Sequence, residues 1–361
     1  MGAVARLAVN RNLRLQFVTS SSTSRFRPAD KNFMNRAQHF IPQLHLRQFG
    51  DSRLANEHVW VYEKGRAPRH AAAKEIAHQR DFYRCEGQRN NLVDFQSLEG
   101  GGAEPKLRHL ADTGNVSERD KDFLAKFIGV MSARVPIARL LADDVAGDKL
   151  TKELSKYVDD HQLFAQHFRD VRLDPPMEPE SARQLLLRGY RFQHADDFCN
   201  LQMLLDMAQL NYEGLLQMNW LVWRASGELK FITSDNPVVS IFPERAGVAR
   251  LGRAFSIREI HVIFPLSRGE CLFAKRRGAT GLQEVPNTRV RQVNKVLMGM
   301  ANRWIFASEN SPKIASLFDR IGGTAAYGTD FYEYRPEIFH RNKLGDKPQI
   351  ETSKSFDDES L

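Results

Sequence analysis

The feature that most restricts this chain is a change of hydrophobic period near residue 219. From 194 to 218, Phe198, Leu201, Leu204, Leu205, Ala208, Tyr212, Leu215 and Leu216 recur at helical spacing along one side. Directly afterwards the pattern shortens. Segments 220–224 and 229–233 flank Ser226-Gly227 and predict a hairpin. Segments 261–264 and 271–274 predict a second strand pair, and 303–307 a further strand. Helices that come first must bury their stripe against strands that come later, which predicts an α+β fold. The expected architecture is a helical middle section packed with a small, mainly antiparallel sheet in a single large domain.

Other helices fit this plan. Ser117, Glu118 and Asp120 give an acidic start, and Phe123, Leu124, Phe127, Ile128 and Met131 follow at three- and four-residue spacing. Pro136 kinks or ends that helix. Segments 147–169, 178–190, 287–300 and 311–320 also read as helices, with a break at Asp174-Pro175-Pro176. Upstream, 39–49 reads as a short helix entered through Pro42, and 58–63 as a strand ending at Lys64-Gly65. Segment 74–81 reads as a short helix, and Gly100-Gly101-Gly102 as a flexible joint. The expected domain runs from 34 to 340, with a helical part at about 117–218 and a mixed β part at about 219–320. The polar segment 341–361 reads as a flexible tail.

Charge sharpens the functional question. The formal charge is +8 and the pI about 9.4, but the excess is uneven. Residues 1–33 carry +5, and 245–303 carry +9. The segments 34–244 and 304–361 each carry −3. The first block is Arg- and Ser-rich with a single acid, Asp30, so it reads as a disordered leader or an over-extended start before Met34. Cytoplasmic location is expected, with organelle import if that segment is a transit peptide. No apolar run reaches the roughly 18–20 residues of a membrane span, so no membrane partner is expected. Cys85, Cys199 and Cys271 are widely separated and odd in number, which excludes a disulfide scaffold and points to reduced thiols.

Four groups of residues could carry chemistry. Ser234-Asp235-Asn236-Pro237 follows a predicted strand, and Pro237 biases Asn236 toward extended backbone. A carboxylate held there could ligate a divalent metal or act as a base; it could equally bond nearby backbone N–H groups and hold the loop. His39, in His39-x-x-Pro42, could be an acid/base group or could lock the helix start. His39 and His45 are six residues apart, which turns them to opposed helix faces and makes them a poor metal pair. His161 and His167 share that spacing. Asp94 and Glu99 form an acidic pair of no specific spacing. In the basic block, Arg250, Arg253, Arg276, Arg277, Arg289 and Arg291 could grip phosphate, or could pair with the acidic remainder of the chain.

Several of these segments resemble the domain-of-unknown-function family numbered 4238. The resemblance rests, in order, on QHFIPQLHLRQFG, HVWVYE, RDFY, LEGGGAEPKLRHL, FITSDNPVV, FPLSRG and RWIFASE, and covers roughly 34–310. It implies an ordered domain rather than a reaction, and makes His39 and Asp235 family-motif positions. The family often carries His-His before its aromatic-aliphatic-Pro, where this chain has Gln38-His39.

Two functions follow from these residues. One is a hydrolase acting on a phosphate-containing substrate, nucleic acid or a phosphorylated small molecule. Asp235 is then base or metal ligand, His39 acid/base, Asn236 and Ser234 orient substrate, and Arg276, Arg277, Arg289 and Arg291 hold phosphate. The other is a non-catalytic binding or regulatory protein in which the His-x-x-Pro and Ser-Asp-Asn-Pro motifs are loop locks.

Overall fold

A computed structural model describes residues 14–16, 37–51, 58–80, 82, 102–140, 142, 152, 155–168, 172–174, 178–188, 197–241, 255 and 260–323. The leader apart from Arg14–Gln16, the tail after 323, Cys85, Asp94, Glu99, Arg250 and Arg253 lie outside these residues. The fold is α+β.

In chain order the elements that matter below are α1 (Gln43–Arg47), β1 (His58–Glu63), β2 (Arg69–Ala72), α2 (Ala103–Thr113) and α3 (Glu118–Ala133). Next come α4 (Asp197–Leu216), β3 (Asn219–Ala225), β4 (Thr233–Ser234), β5 (Val239–Ile241) and β6 (His261–Pro265). Then follow β7 (Glu270–Lys275), β8 (Gly281–Val285), α5 (Asn287–Met300), β9 (Trp304–Ala307) and α6 (Pro312–Ile321). The main strands form a five-stranded sheet, β8-β3-β7-β6-β5, and a four-stranded sheet, β2-β1-β9-β4. All neighbours are antiparallel except β8 and β3.

Contacts cluster into two compact units. One comprises residues 1–38, 78–94 and 136–207. In it the helices His161–Phe168 and Pro179–Leu187 are fixed locally: Asp160 Oδ1 accepts from Gln162 N and Leu163 N, and Arg183 forks onto Glu180 and reaches Val158 O. The short strands Arg14–Gln16 and Arg172–Asp174 pair in parallel.

The other unit comprises 39–77, 95–135 and 208–361, and it contains both main sheets. Strand alternation divides the five-stranded sheet into two apolar faces. Trp220, Val222, Leu272, Ala274, Val262 and Phe264 turn toward α2 and α3, meeting Leu107, Leu110, Leu124, Phe127 and Ile128. Leu221, Trp223, Cys271, Phe273 and Ile263 turn the other way, meeting Val290, Val293 and Leu297 of α5 with Tyr62 and Ile305 of the smaller sheet. The helices are tied off by polar groups. Ser117 Oγ accepts from Asp120 N at the start of α3. Lys121 Nζ reaches Leu216 O and Met218 O at the end of α4, and Arg224 donates to Ala111 O and Asp112 O at the end of α2.

α2 ends on Gly114, at φ +69 and with no room for a side chain: an added Cβ would lie 2.3 Å from the Gly281 carbonyl carbon. Gly114→Ala therefore adds a left-handed backbone penalty to a clash with strand backbone, and is expected to lose about 2–3 kcal/mol in urea unfolding.

Four sequence expectations are corrected. Segment 229–233 is not a hairpin partner of β3; only Thr233–Ser234 is strand, and it joins β9 in the other sheet. Segment 74–81 is a 3-10 turn, Ala73–Glu75, followed by the strand His78–Arg80, with Ala77 at φ +52 breaking any helix between them. The helical part begins at Ala103, upstream of the expected 117. Within 147–169 the described helix of full length is only His161–Phe168. Among the described residues, no helix is long and apolar enough to cross a membrane.

Candidate functional site

In the stretch from Leu229 to Asn236 only Thr233–Ser234 is strand, and Asp235 and Asn236 form a bend. The backbone polar groups of this stretch must still find partners. Helix α5 supplies many of them. Asn287 Oδ1 accepts from Leu229 N at 3.1 Å. Two turns later, Asn294 accepts from Ile232 N at 3.1 Å and donates to Lys230 O at 2.9 Å. At the end of the helix, Met300 O accepts from Asn236 Nδ2 at 3.0 Å. A spacing of seven puts Asn287 and Asn294 on one helix face, so the helix works as a clasp along this stretch.

Asp235 closes the clasp. Its Oδ1 accepts from Asn302 N at 2.8 Å, and its Oδ2 from Arg303 N at 2.7 Å and Trp304 N at 3.0 Å. Its own N–H donates to Trp304 O at 3.0 Å. The carboxylate thus joins the end of α5 to the start of β9. Asp235 is 1% exposed. Burial pushes its pKa up to about 6, while the backbone N–H donors pull it down. Ser234 Oγ and Asn236 bond each other's neighbourhood: Asn236 N donates to Ser234 Oγ, which donates to Asn236 O. Both residues are buried. This is the geometry of a polar loop lock.

The His-x-x-Pro segment docks on the same stretch, but through a different histidine. His45, on α1, places Nε2 3.1 Å from Thr233 Oγ1, two residues before Asp235. Its ring stacks on Phe264 at 4.9 Å and tilts against Phe49 at 5.2 Å. It is fully buried, its Nδ1 makes no hydrogen bond, and burial pushes its pKa down to about 3. His39 contributes its backbone: its carbonyl accepts from Arg134 Nη2. Phe40 N and Ile41 N both donate to Ala77 O, and Pro42 O accepts from His45 N and Leu46 N. The six-residue spacing from His39 bears on His45 only as a metal partner and carries no sign of its contact with Thr233, 188 residues away. The seven-residue repeat of Asn287 and Asn294 was the readable signal for the clasp.

The HVWVYE and FPLSRG segments meet here too. Glu63 of β1 accepts from Arg303 Nε and Trp304 Nε1. Tyr62 OH donates to Glu309 O and accepts from Ser311 N. Arg268 N donates to Gln48 O, and Arg268 O accepts from Phe231 N.

None of the four candidate arginines bonds to Asp235. Arg276 donates to Gln217 Oε1 and Phe255 O, on the α3 side of the large sheet. Arg289 lies over Trp223 at 5.3 Å on the opposite side and donates to Gln292. Arg277, Arg289 and Arg291 are exposed, and among the described residues no carboxylate pairs with them. Also among the described residues, no group of three or more His, Cys, Asp or Glu is placed to hold a metal ion.

The family described as Protein of unknown function (DUF4238) matches residues 37–311. Neither the curated proteins nor the solved structures give a match.

Proposed function

Because the chain belongs to DUF4238, a family whose description supplies no reaction, we propose a function from its own side chains: a non-catalytic protein that binds a phosphate-bearing polyanion such as nucleic acid. The observation that carries this reading is the disposition of charge. The Asp235 carboxylate is buried under three backbone N–H groups, while Arg277, Arg289 and Arg291 are exposed and, among the described residues, pair with no carboxylate. A hydrolytic base must reach a proton on its substrate, and Asp235 is occupied. Exposed guanidinium groups are suited to phosphate, and the +9 surplus of residues 245–303 supplies a favourable field. The motif residues then serve as the scaffold that fixes α5, the helix that carries Arg289 and Arg291, by its end to β9. The proposed location is cytoplasmic, in keeping with the buried free thiol of Cys271.

The test is anisotropy of a labelled single-stranded oligonucleotide at low salt, repeated across a salt series. The wild type is expected to bind with a steep salt dependence. Arg277→Glu/Arg289→Glu/Arg291→Glu is expected to reduce the log–log slope by about 2, roughly 0.7 per lost phosphate contact. No binding at low salt, or an unchanged slope in the triple variant, overturns the proposal.

A further inference from the structure

Resting on the reading of the exposed arginines as polyanion contacts, we propose that the ligand is a single strand and that Arg289 selects it. An unpaired base stacks on the outer side of the Arg289 guanidinium, and Lys275 takes a neighbouring phosphate. Of the three exposed arginines, Arg289 is the one with contacts that hold its guanidinium, among the described residues. Its Cζ lies 5.3 Å from the centre of the Trp223 ring, and its Nη1 donates to Gln292 Oε1 at 3.0 Å. Trp223 in turn stacks on Phe273, with centres 4.1 Å apart and planes 14° apart, and Lys275 Nζ lies 5.6 Å from the centre of the Phe273 ring. Two cations therefore flank one aromatic pair on the α5 side of the large sheet. Trp223 and Phe273 are 7% and 8% exposed, so a ligand meets the cations rather than the rings.

A second observation concerns α5 itself. Its 14 residues include Arg289, Arg291 and Lys295 and no acid. Arg289 sits in the first turn, where the helix dipole favours a carboxylate, so helix stability is given up to keep a cation there. No acid three or four residues away on the helix competes for its guanidinium. Glu284, the acid of the neighbouring β8, lies in register with Arg224 and on the opposite face from Trp223. A guanidinium is planar, delocalised and weakly hydrated, so one side can rest on an indole while the other takes a second π face. A base offers that face when it is unpaired and unstacked, which a duplex does not allow. Because Trp223 and Gln292 already hold Arg289, ordering it on binding costs little side-chain entropy. Lysine at this position keeps the charge and lacks the plane.

The experiment titrates the full chain, at low salt and by anisotropy, with two labelled single strands of about 12 nucleotides. One is a thymidine oligonucleotide. The other is its abasic counterpart, which carries the same phosphates without bases. The wild type is expected to bind the thymidine strand about tenfold more tightly than the abasic one. Arg289→Lys is expected to bind the thymidine strand within about twofold of the abasic one, with the abasic affinity and the salt slope of the wild type. Arg108→Lys, on the exposed side of α2, is expected to keep the wild-type ratio. Equal binding of the two strands by the wild type overturns this proposal and leaves the phosphate reading standing. An Arg289→Lys chain that keeps the wild-type ratio does the same. A wild type that binds neither strand overturns both.

Discussion

Asp235→Ala is expected to lower the free energy of unfolding by about 3–4 kcal/mol, because it leaves the N–H groups of Asn302, Arg303 and Trp304 buried without an acceptor. Asp235→Asn is expected to lose nearly as much, since its NH₂ group faces donors rather than acceptors. Ser234→Ala should cost only about 1 kcal/mol, the value of a local hydrogen bond, although Ser234 is just as buried. Urea unfolding reads all three: the midpoint should fall with an unchanged slope. The ordering separates the two roles of this turn. A catalytic base held against its own folding preference would gain stability when removed, whereas a lock loses it.

The second large effect concerns acid. The folded-state pKa of His45 is depressed, from 6.5 to about 3. The unfolded chain therefore binds the proton first, and the stability contributed by neutral His45 is present above pH 6.5 and lost as pH falls toward 3. The full loss is about 4–5 kcal/mol at 1.36 kcal/mol per unit. Asp235 runs the other way. Its folded pKa is raised from 3.8 to about 6, so its contribution is present below 3.8 and lost as pH rises through about 6. The two oppose each other between about pH 4 and 6. Subtracting the profile of His45→Phe from that of the wild type isolates the histidine. The wild type is expected to lose ground to His45→Phe steadily below pH 6.5. Parallel profiles would mean that His45 is not buried as a neutral ring.

The order and type of the larger elements were legible because they carry local signals. The stripe Phe123 to Met131 and the cap at Ser117 marked α3, and Val290, Val293 and Leu297 marked α5. β8 was missed because Leu282, Gln283 and Glu284 on this edge strand are exposed and show no apolar alternation. The stretch 229–232 is not strand, and its partners are Asn287, Asn294 and Arg268 rather than β3. Local pattern does not say which distant groups will satisfy a backbone. The candidate site divides the same way. Ser-Asp-Asn-Pro was readable as a turn bearing a carboxylate. The donors to that carboxylate begin 67 residues downstream, so its occupation by backbone N–H groups had no local signal. The arginine block was readable as charge, but only the fold separates Arg276, held by Gln217 and Phe255, from the outward Arg277, Arg289 and Arg291.

The central claim is that the motif at Asp235 builds the scaffold while the exposed arginines bind the ligand. It is tested most directly by the affinity of folded Asp235→Asn for a single-stranded oligonucleotide, measured in the cold at low salt beside the wild type and the triple arginine variant. The account predicts a dissociation constant for Asp235→Asn within about twofold of the wild type, with the damage confined to its melting temperature, while the triple variant loses about tenfold or more. A folded Asp235→Asn chain that binds as poorly as the triple variant would contradict it.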